Sequence, residues 1–191
     1  MNANRLFKQG EHILNADGLT VGDYWSWAYS DILNNVNRGV FAEFLVGSAL
    51  ETLQSPRQAW NEFDLQYERF RVEVKSSKYL QSWNQEKLSK ISFSIVKTKG
   101  WNADTNINQN KKMRNSDLYV FCLFTEKEIR TANVINTDAW EFYVVSTGKI
   151  NRKFLEQKTI GLTSLKKLAT PVKYSQIKSS VDSLIEKKLL D

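Results

Sequence analysis

The chain has 191 residues, of which 41% are hydrophobic, 12% aromatic and 25% charged, with a formal net charge of +6 at pH 7. That length and apolar content suit one ordinary folded domain and exclude disorder as the main state. A single cysteine, Cys122, excludes an internal disulfide and a cysteine-rich zinc site, and a single histidine, His12, argues against a histidine zinc centre or a Ser-His-Asp triad, so any metal would be held mainly by oxygen: magnesium, manganese or calcium.

Residues 1–5 lead into no apolar segment, and no apolar run approaches the roughly 18 residues of a membrane span, so a cytoplasmic chain with no membrane partner is expected. Residues 6–29 read as polar loop and short helix, with Asp17-Gly18 marking a turn. Residues 38–53 (RGVFAEFLVGSALETL) predict a buried helix, apolar around most of its circumference, with Ser55-Pro56 as its stop. Two short alternating runs, 63–67 and 70–76, predict a β-hairpin. Residues 91–96 (ISFSIV) give a third strand, and a polar connection over 97–116 is long enough to serve as a functional loop. Residues 118–124 (LYVFCLF) form an unbroken apolar run of the kind found in central strands, and 141–145 (EFYVV) give a fifth strand. Cys122 then reads as an inert buried thiol. The remainder is helical over 162–168 and 174–190, where Ile177, Val181, Leu184, Ile185 and Leu189 recur at helical spacing. One α/β domain over 1–191 is expected, a central mixed sheet of about five strands flanked by helices, with a core over 38–145 and additions at 1–37 and 160–191.

Charge is unevenly spread. Residues 1–68 carry a net −5, residues 69–114 a net +8 and residues 115–191 a net +3. The middle stretch includes Lys78, Lys97, Lys99, Lys111, Lys112 and Arg114, interleaved with Trp83 and Trp101. A polyanion such as nucleic acid is the natural partner of such a band, and a solvated lysine-rich surface is the alternative.

The hairpin carries the chemistry. With its turn at Glu68-Arg69, one face pairs Tyr67 with Phe70, Leu65 with Val72 and Phe63 with Val74. The other face pairs Gln66 with Arg71, Asp64 with Glu73 and Glu62 with Lys75. Glu68-Arg69 lacks the glycine or asparagine of two-residue turns, so a longer loop in the same register is expected. Opposed carboxylates destabilise a sheet unless a cation lies between them or one is protonated. Lys75 projects from the face of Glu73, two residues on. Two acids and a lysine on one patch suit metal-assisted hydrolysis, the acids holding a divalent cation and the lysine orienting or deprotonating a water. An exposed edge hairpin bearing ordinary ion pairs is the plainer alternative.

These residues resemble the PD-(D/E)xK nuclease superfamily, the restriction-endonuclease-like fold. Asp64 matches the first acid, Glu73-Val74-Lys75 the (D/E)-x-K tripeptide, and Glu43 the glutamate often supplied by the preceding helix; Phe63 stands where the motif's proline would be. The likeness covers residues 38–124. It implies a restriction-endonuclease-like core, catalysis by Asp64, Glu73 and Lys75, and Mg²⁺, with Mn²⁺ as substitute, held by Asp64 and Glu73 with Glu43. Glu43 lies on or beside an apolar helix surface, where it is either a ligand or the rim of the buried face. Ser77, on the face of Lys75, and Gln81 are auxiliary candidates, or simply polar loop residues.

The expected function is a metal-dependent DNA endonuclease, of which a Type II restriction endonuclease acting as a homodimer is one form. A repair or junction-resolving nuclease, an RNA-directed nuclease, and a non-catalytic nucleic-acid-binding module are the alternatives.

Overall fold

The computed structural model describes residues 5–59, 61–102, 107–108 and 111–190, with the backbone alone at 101–102, 107–108 and 188–190. Thr20 opens the first helix, α1 (Val21–Tyr29), through a capping box with Asp23. The second, α2 (Asn35–Ala49), starts at Asn34, whose side chain accepts the Val36 N–H at 2.9 Å. It ends at Leu50, and Glu51 turns the chain aside at a left-handed φ of 59°. The helix therefore begins and ends earlier than the apolar run implied. The cap at Asn34 satisfies otherwise orphaned first-turn donors, and the stop precedes Pro56.

Strands β1 (Leu65–Tyr67) and β2 (Phe70–Lys78) form the expected hairpin. β3 (Ser92–Ser94), β4 (Trp101–Asn102) and β5 (Ile107–Asn108) follow, then β6 (Leu118–Phe124) and β7 (Trp140–Ser146). Helix α3 (Thr147–Lys153), β8 (Thr159–Gly161), α4 (Leu162–Lys166) and α5 (Ile177–Leu190) complete the chain. The central sheet is mixed and has four strands in the order β1-β2-β6-β7. β2 runs parallel to β6, while β1 on β2 and β7 on β6 are antiparallel.

Four strands replace the expected five. The segment over 91–96 does form a strand, but β3 pairs with β8 in a separate antiparallel ribbon. Its alternation serves a different surface: Ile91, Phe93 and Ile95 are buried against Tyr119, Phe121, Leu123 and Tyr143 on one face of the central sheet. α2 and α5 cover the other face, where Ala42, Val46, Val181 and Ile185 meet Val72, Val74, Val120 and Cys122. β6 is covered on both sides and buried at every position, as a run with no polar alternation requires. Part of the polar connection over 97–116, and the side chain of Trp101, lie outside the described residues; within it Thr98 bridges Met113. Among the described residues no helix is long and apolar enough to cross a membrane.

Candidate active site

The hairpin register is Leu65 with Val72, Gln66 with Arg71 and Tyr67 with Phe70. The turn is shorter than the sequence implied: two residues, Glu68 and Arg69, link the strands, and Glu68 takes a φ of 52°. A non-glycine residue there costs about 1–2 kcal/mol, and the apolar pairs beside the turn hold it in place. The ladder ends at Leu65. The Asp64 amide still donates to the Val72 carbonyl at 3.2 Å, but its side chain takes over from strand pairing, Oδ2 accepting the Val74 N–H at 2.7 Å. That bond places the Asp64 carboxylate between the backbone positions of Glu73 and Lys75.

Glu73 and Lys75 point away from α2, toward the face covered by the β3–β8 ribbon. Lys75 Nζ lies 2.5 Å from Glu73 Oε1 and 3.7 Å from Asp64 Oδ2. The other Glu73 oxygen accepts the Ser116 hydroxyl at 2.9 Å. Burial, then the charge of Asp64, raises the Glu73 carboxyl above its ordinary range, although Lys75 and Ser116 pull it down. Burial works against the Lys75 ammonium, yet Asp64 and Glu73 together outweigh it and raise its pKa. Burial, reinforced by Glu73, also raises the Tyr119 hydroxyl.

The three groups sit between two cavities. Asp64 opens onto a groove of about 610 Å³ between α2 and the hairpin, shared with Glu43, Phe44 and Arg57. Glu73 and Lys75 line a small polar cavity of about 110 Å³ with Glu62, Thr98 and Asn115. Asn115 is buried, gives its Nδ2 to Thr98 at 3.2 Å, and leaves Oδ1 without a partner among the described residues. A buried acceptor at a polar cavity is a natural seat for a water.

The other anticipated residues divide. Glu43 is bidentate with Arg57, Nη2 donating to Oε1 at 2.8 Å and Nε to Oε2. Burial raises its carboxyl despite that pairing, with Asp64 adding to the rise. Ser77 is buried in β2 opposite Leu123, on the alternation of Glu73 and Lys75. Gln81 is not brought to the acids: it binds Ser89 and Gln85 and lines a separate cavity with Trp83. Asp117 caps the start of β6, accepting from the Arg71 amide at 3.0 Å and from its guanidinium.

Two members of the basic band must be corrected. Lys78 is 3% exposed, and its ammonium donates to the Leu33 carbonyl. Burial and the neighbouring Arg38 push its pKa down to about 8. Arg114 is 4% exposed and donates to the carbonyls of Ile95, Phe154 and Gln157 and to Asn151. Both are buried structural cations rather than surface phosphate contacts. Lys97 pairs with Glu156 at 2.6 Å, whereas Lys99, Lys111 and Lys112 are exposed.

Sequence reasoning missed Ser116 and Arg57. Ser116 reaches Glu73 only because β2 and β6 pair in parallel, and Arg57 reaches Glu43 only through the loop between α2 and β1. Neither contact has a local sequence signal. No protein-family model matches the chain, and no curated protein matches it.

Among the described residues no group of three or more His, Cys, Asp or Glu side chains forms a ready-made metal cage. The donor set nevertheless fits a hard cation that keeps most of its waters, since Mg²⁺ is commonly held by one or two carboxylates and substrate phosphate. Asp64 and Glu73 are two such groups on one patch, and the charge of Asp64 adds to burial in raising the Glu73 carboxyl.

Proposed function

We propose that the chain is a metal-dependent nuclease that hydrolyses phosphodiester bonds in DNA, with Asp64, Glu73 and Lys75 as its catalytic residues. The observation that carries this reading is the position of Lys75 Nζ against both carboxylates, 2.5 Å from Glu73 and 3.7 Å from Asp64. Mg²⁺ or Mn²⁺ held by Asp64 and Glu73 would neutralise phosphate charge and acidify a bound water.

The chain's own residues have distinct tasks. Asp64 is fixed by the Val74 amide, and Glu73 by Ser116, so both acids are oriented before substrate arrives. Lys75, kept charged between them, is a donor: it orients a water or phosphate oxygen and offsets charge developing at the reacting phosphate. The polar cavity beside Glu73 and Lys75 gives that water a place. Exposed Lys99, Lys111 and Lys112 supply phosphate contacts that set affinity without reading sequence. The likeness of Asp64 and Glu73-Val74-Lys75 to the PD-(D/E)xK motif supports the same assignment. Of the forms such an enzyme takes, restriction, repair and junction resolution all need this centre.

The test is incubation of the pure chain with plasmid and genomic DNA, and with RNA alongside, in EDTA, Mg²⁺ or Mn²⁺, beside Lys75→Ala. Metal-dependent cleavage lost in the variant is the expected result. Discrete fragments would mark a sequence-specific enzyme, and a smear a nonspecific or structure-directed one. Binding without cleavage by the parent would overturn the catalytic reading in favour of a binding module.

A further inference from the structure

The groove beside Asp64 is walled by apolar side chains of α2 and of the chain entering the hairpin, Phe44 and Phe63 among them. Three charged groups line it: Glu43, Asp64 and Arg57. A phosphate entering would meet two carboxylates, and Arg57 is the single cationic side chain lining the groove among the described residues. Yet Arg57 is already engaged, two of its nitrogens clasping the two oxygens of Glu43. The Glu43 side chain is 12% exposed and that of Arg57 39%. The acid lies deep and the guanidinium lies toward solvent.

We propose, on the basis of the nuclease reading above, that Arg57 is a phosphate-binding latch: at rest it clasps Glu43, and a substrate phosphate in the groove takes the guanidinium and frees Glu43 to join Asp64, with which it shares the groove, in holding the cation. A guanidinium fork matches a carboxylate and a phosphate equally well, so the exchange replaces one pair of charge-assisted hydrogen bonds by another. Glu43 stands on the rigid α2, while Arg57 belongs to the irregular connection between α2 and β1, so the latch opens without breaking helix or sheet. The field of Glu43 already reaches both Asp64 and Lys75, and Arg57 feels Asp64. Substrate and cation thereby favour each other's binding, and the coupling is reciprocal.

The test titrates the full chain with MnCl₂ alone, without nucleic acid, by calorimetry, comparing parent, Arg57→Gln, Arg57→Lys and Arg57→Gln/Glu43→Gln. Opening the latch is expected to tighten Mn²⁺ binding about fivefold in Arg57→Gln, because a nearby positive charge is lost and a carboxylate is released. The double variant should lose that gain. In a second measurement, a short DNA is bound in EDTA over a range of salt; Arg57→Gln should lower the salt slope by about one, and Arg57→Lys, which keeps the charge without the fork, should retain it. A merely structural ion pair would change thermal stability and leave the salt slope unmoved, which would overturn the latch. Tightening that persists in the double variant would overturn it as well. If the parent neither binds nor cleaves DNA, the nuclease reading and the latch fall together. If the parent does both while Arg57→Gln alters neither isotherm nor slope, the latch alone falls.

Discussion

Asp64 Oδ2 accepts the backbone N–H of Val74 at 2.7 Å, so a proposed catalytic acid is also the group that closes the hairpin ladder. The amide it satisfies belongs to the middle residue of Glu73-Val74-Lys75. Any substitution at Asp64 therefore acts on chemistry and on architecture together, and the two effects need separating.

Asparagine separates them. Asp64→Asn keeps an oxygen acceptor for Val74 and removes the charge, whereas Asp64→Ala leaves the amide unpaired in a partly buried setting. Both variants are expected to lose cleavage. Urea denaturation should show Asp64→Ala destabilised by about 1–3 kcal/mol and Asp64→Asn by less than half as much. Equal losses of stability would mean that the Val74 bond contributes nothing.

The raised Glu73 carboxyl has a signed consequence for stability. The folded protein holds that proton more tightly than the unfolded chain, so Glu73 contributes stability below its unfolded pKa of about 4.3, and the contribution is lost as pH rises through the higher folded value. Denaturation of the metal-free protein in EDTA at a series of weakly acid pH values measures it. Glu73→Gln should remove this falling component, so that the parent-minus-variant difference declines with increasing pH. Lys75 behaves analogously in the alkaline range, its contribution present below the ordinary lysine pKa and lost above it.

Ser116 steadies the second acid. Ser116→Ala removes the donor to Glu73 Oε2 and should cost about 1–2 kcal/mol, a hydrogen bond to a charged group being the stronger kind. It should also raise the Glu73 pKa further, since Ser116 stabilises the ionised form. Carboxyl chemical shifts followed through a pH titration read this directly. An unchanged titration would show the contact to be idle.

The basic residues should divide by burial. Replacing exposed Lys99, Lys111 and Lys112 together by alanine should reduce the salt dependence of DNA binding by about 3 in log–log slope with little effect on melting temperature. Arg114→Ala should instead cost about 3 kcal/mol or more, because three backbone carbonyls and Asn151 lose their buried donor. If Arg114→Ala were as stable as the parent, its assignment as a structural cation would be wrong.

The parts of this architecture legible in the chain are those governed by short-range periodicity. The alternation around the turn set the register of Leu65 with Val72, and the two-residue repeat put Glu73 and Lys75 on one face. The unbroken run LYVFCLF marked the strand buried on both sides. The illegible parts are set by partners far along the chain. Ile91, Phe93 and Ile95 alternate as they would in a fifth strand of the main sheet; only pairing with β8 places them across its face. Lys78 and Arg114 count as charge exactly as surface residues do, and burial is a tertiary property with no local sign. Glu43 was identifiable as an acid on an apolar helix, but its clasp by Arg57 depends on how the connection to β1 folds back.

The β3–β8 ribbon has a consequence in time. Ser94, in β3, lines the cavity of Glu73 and Lys75, and β3 is completed by Thr159–Gly161. The opposite face needs Ile177, Val181 and Ile185 of α5. A nascent chain that has emerged only as far as β7 holds every charged group of the site but only part of each covering layer, β3 without β8 and α2 without α5, and domains generally fold as units during synthesis. The surroundings of Asp64, Glu73 and Lys75 are therefore complete only once residues through Ile185 have been synthesised.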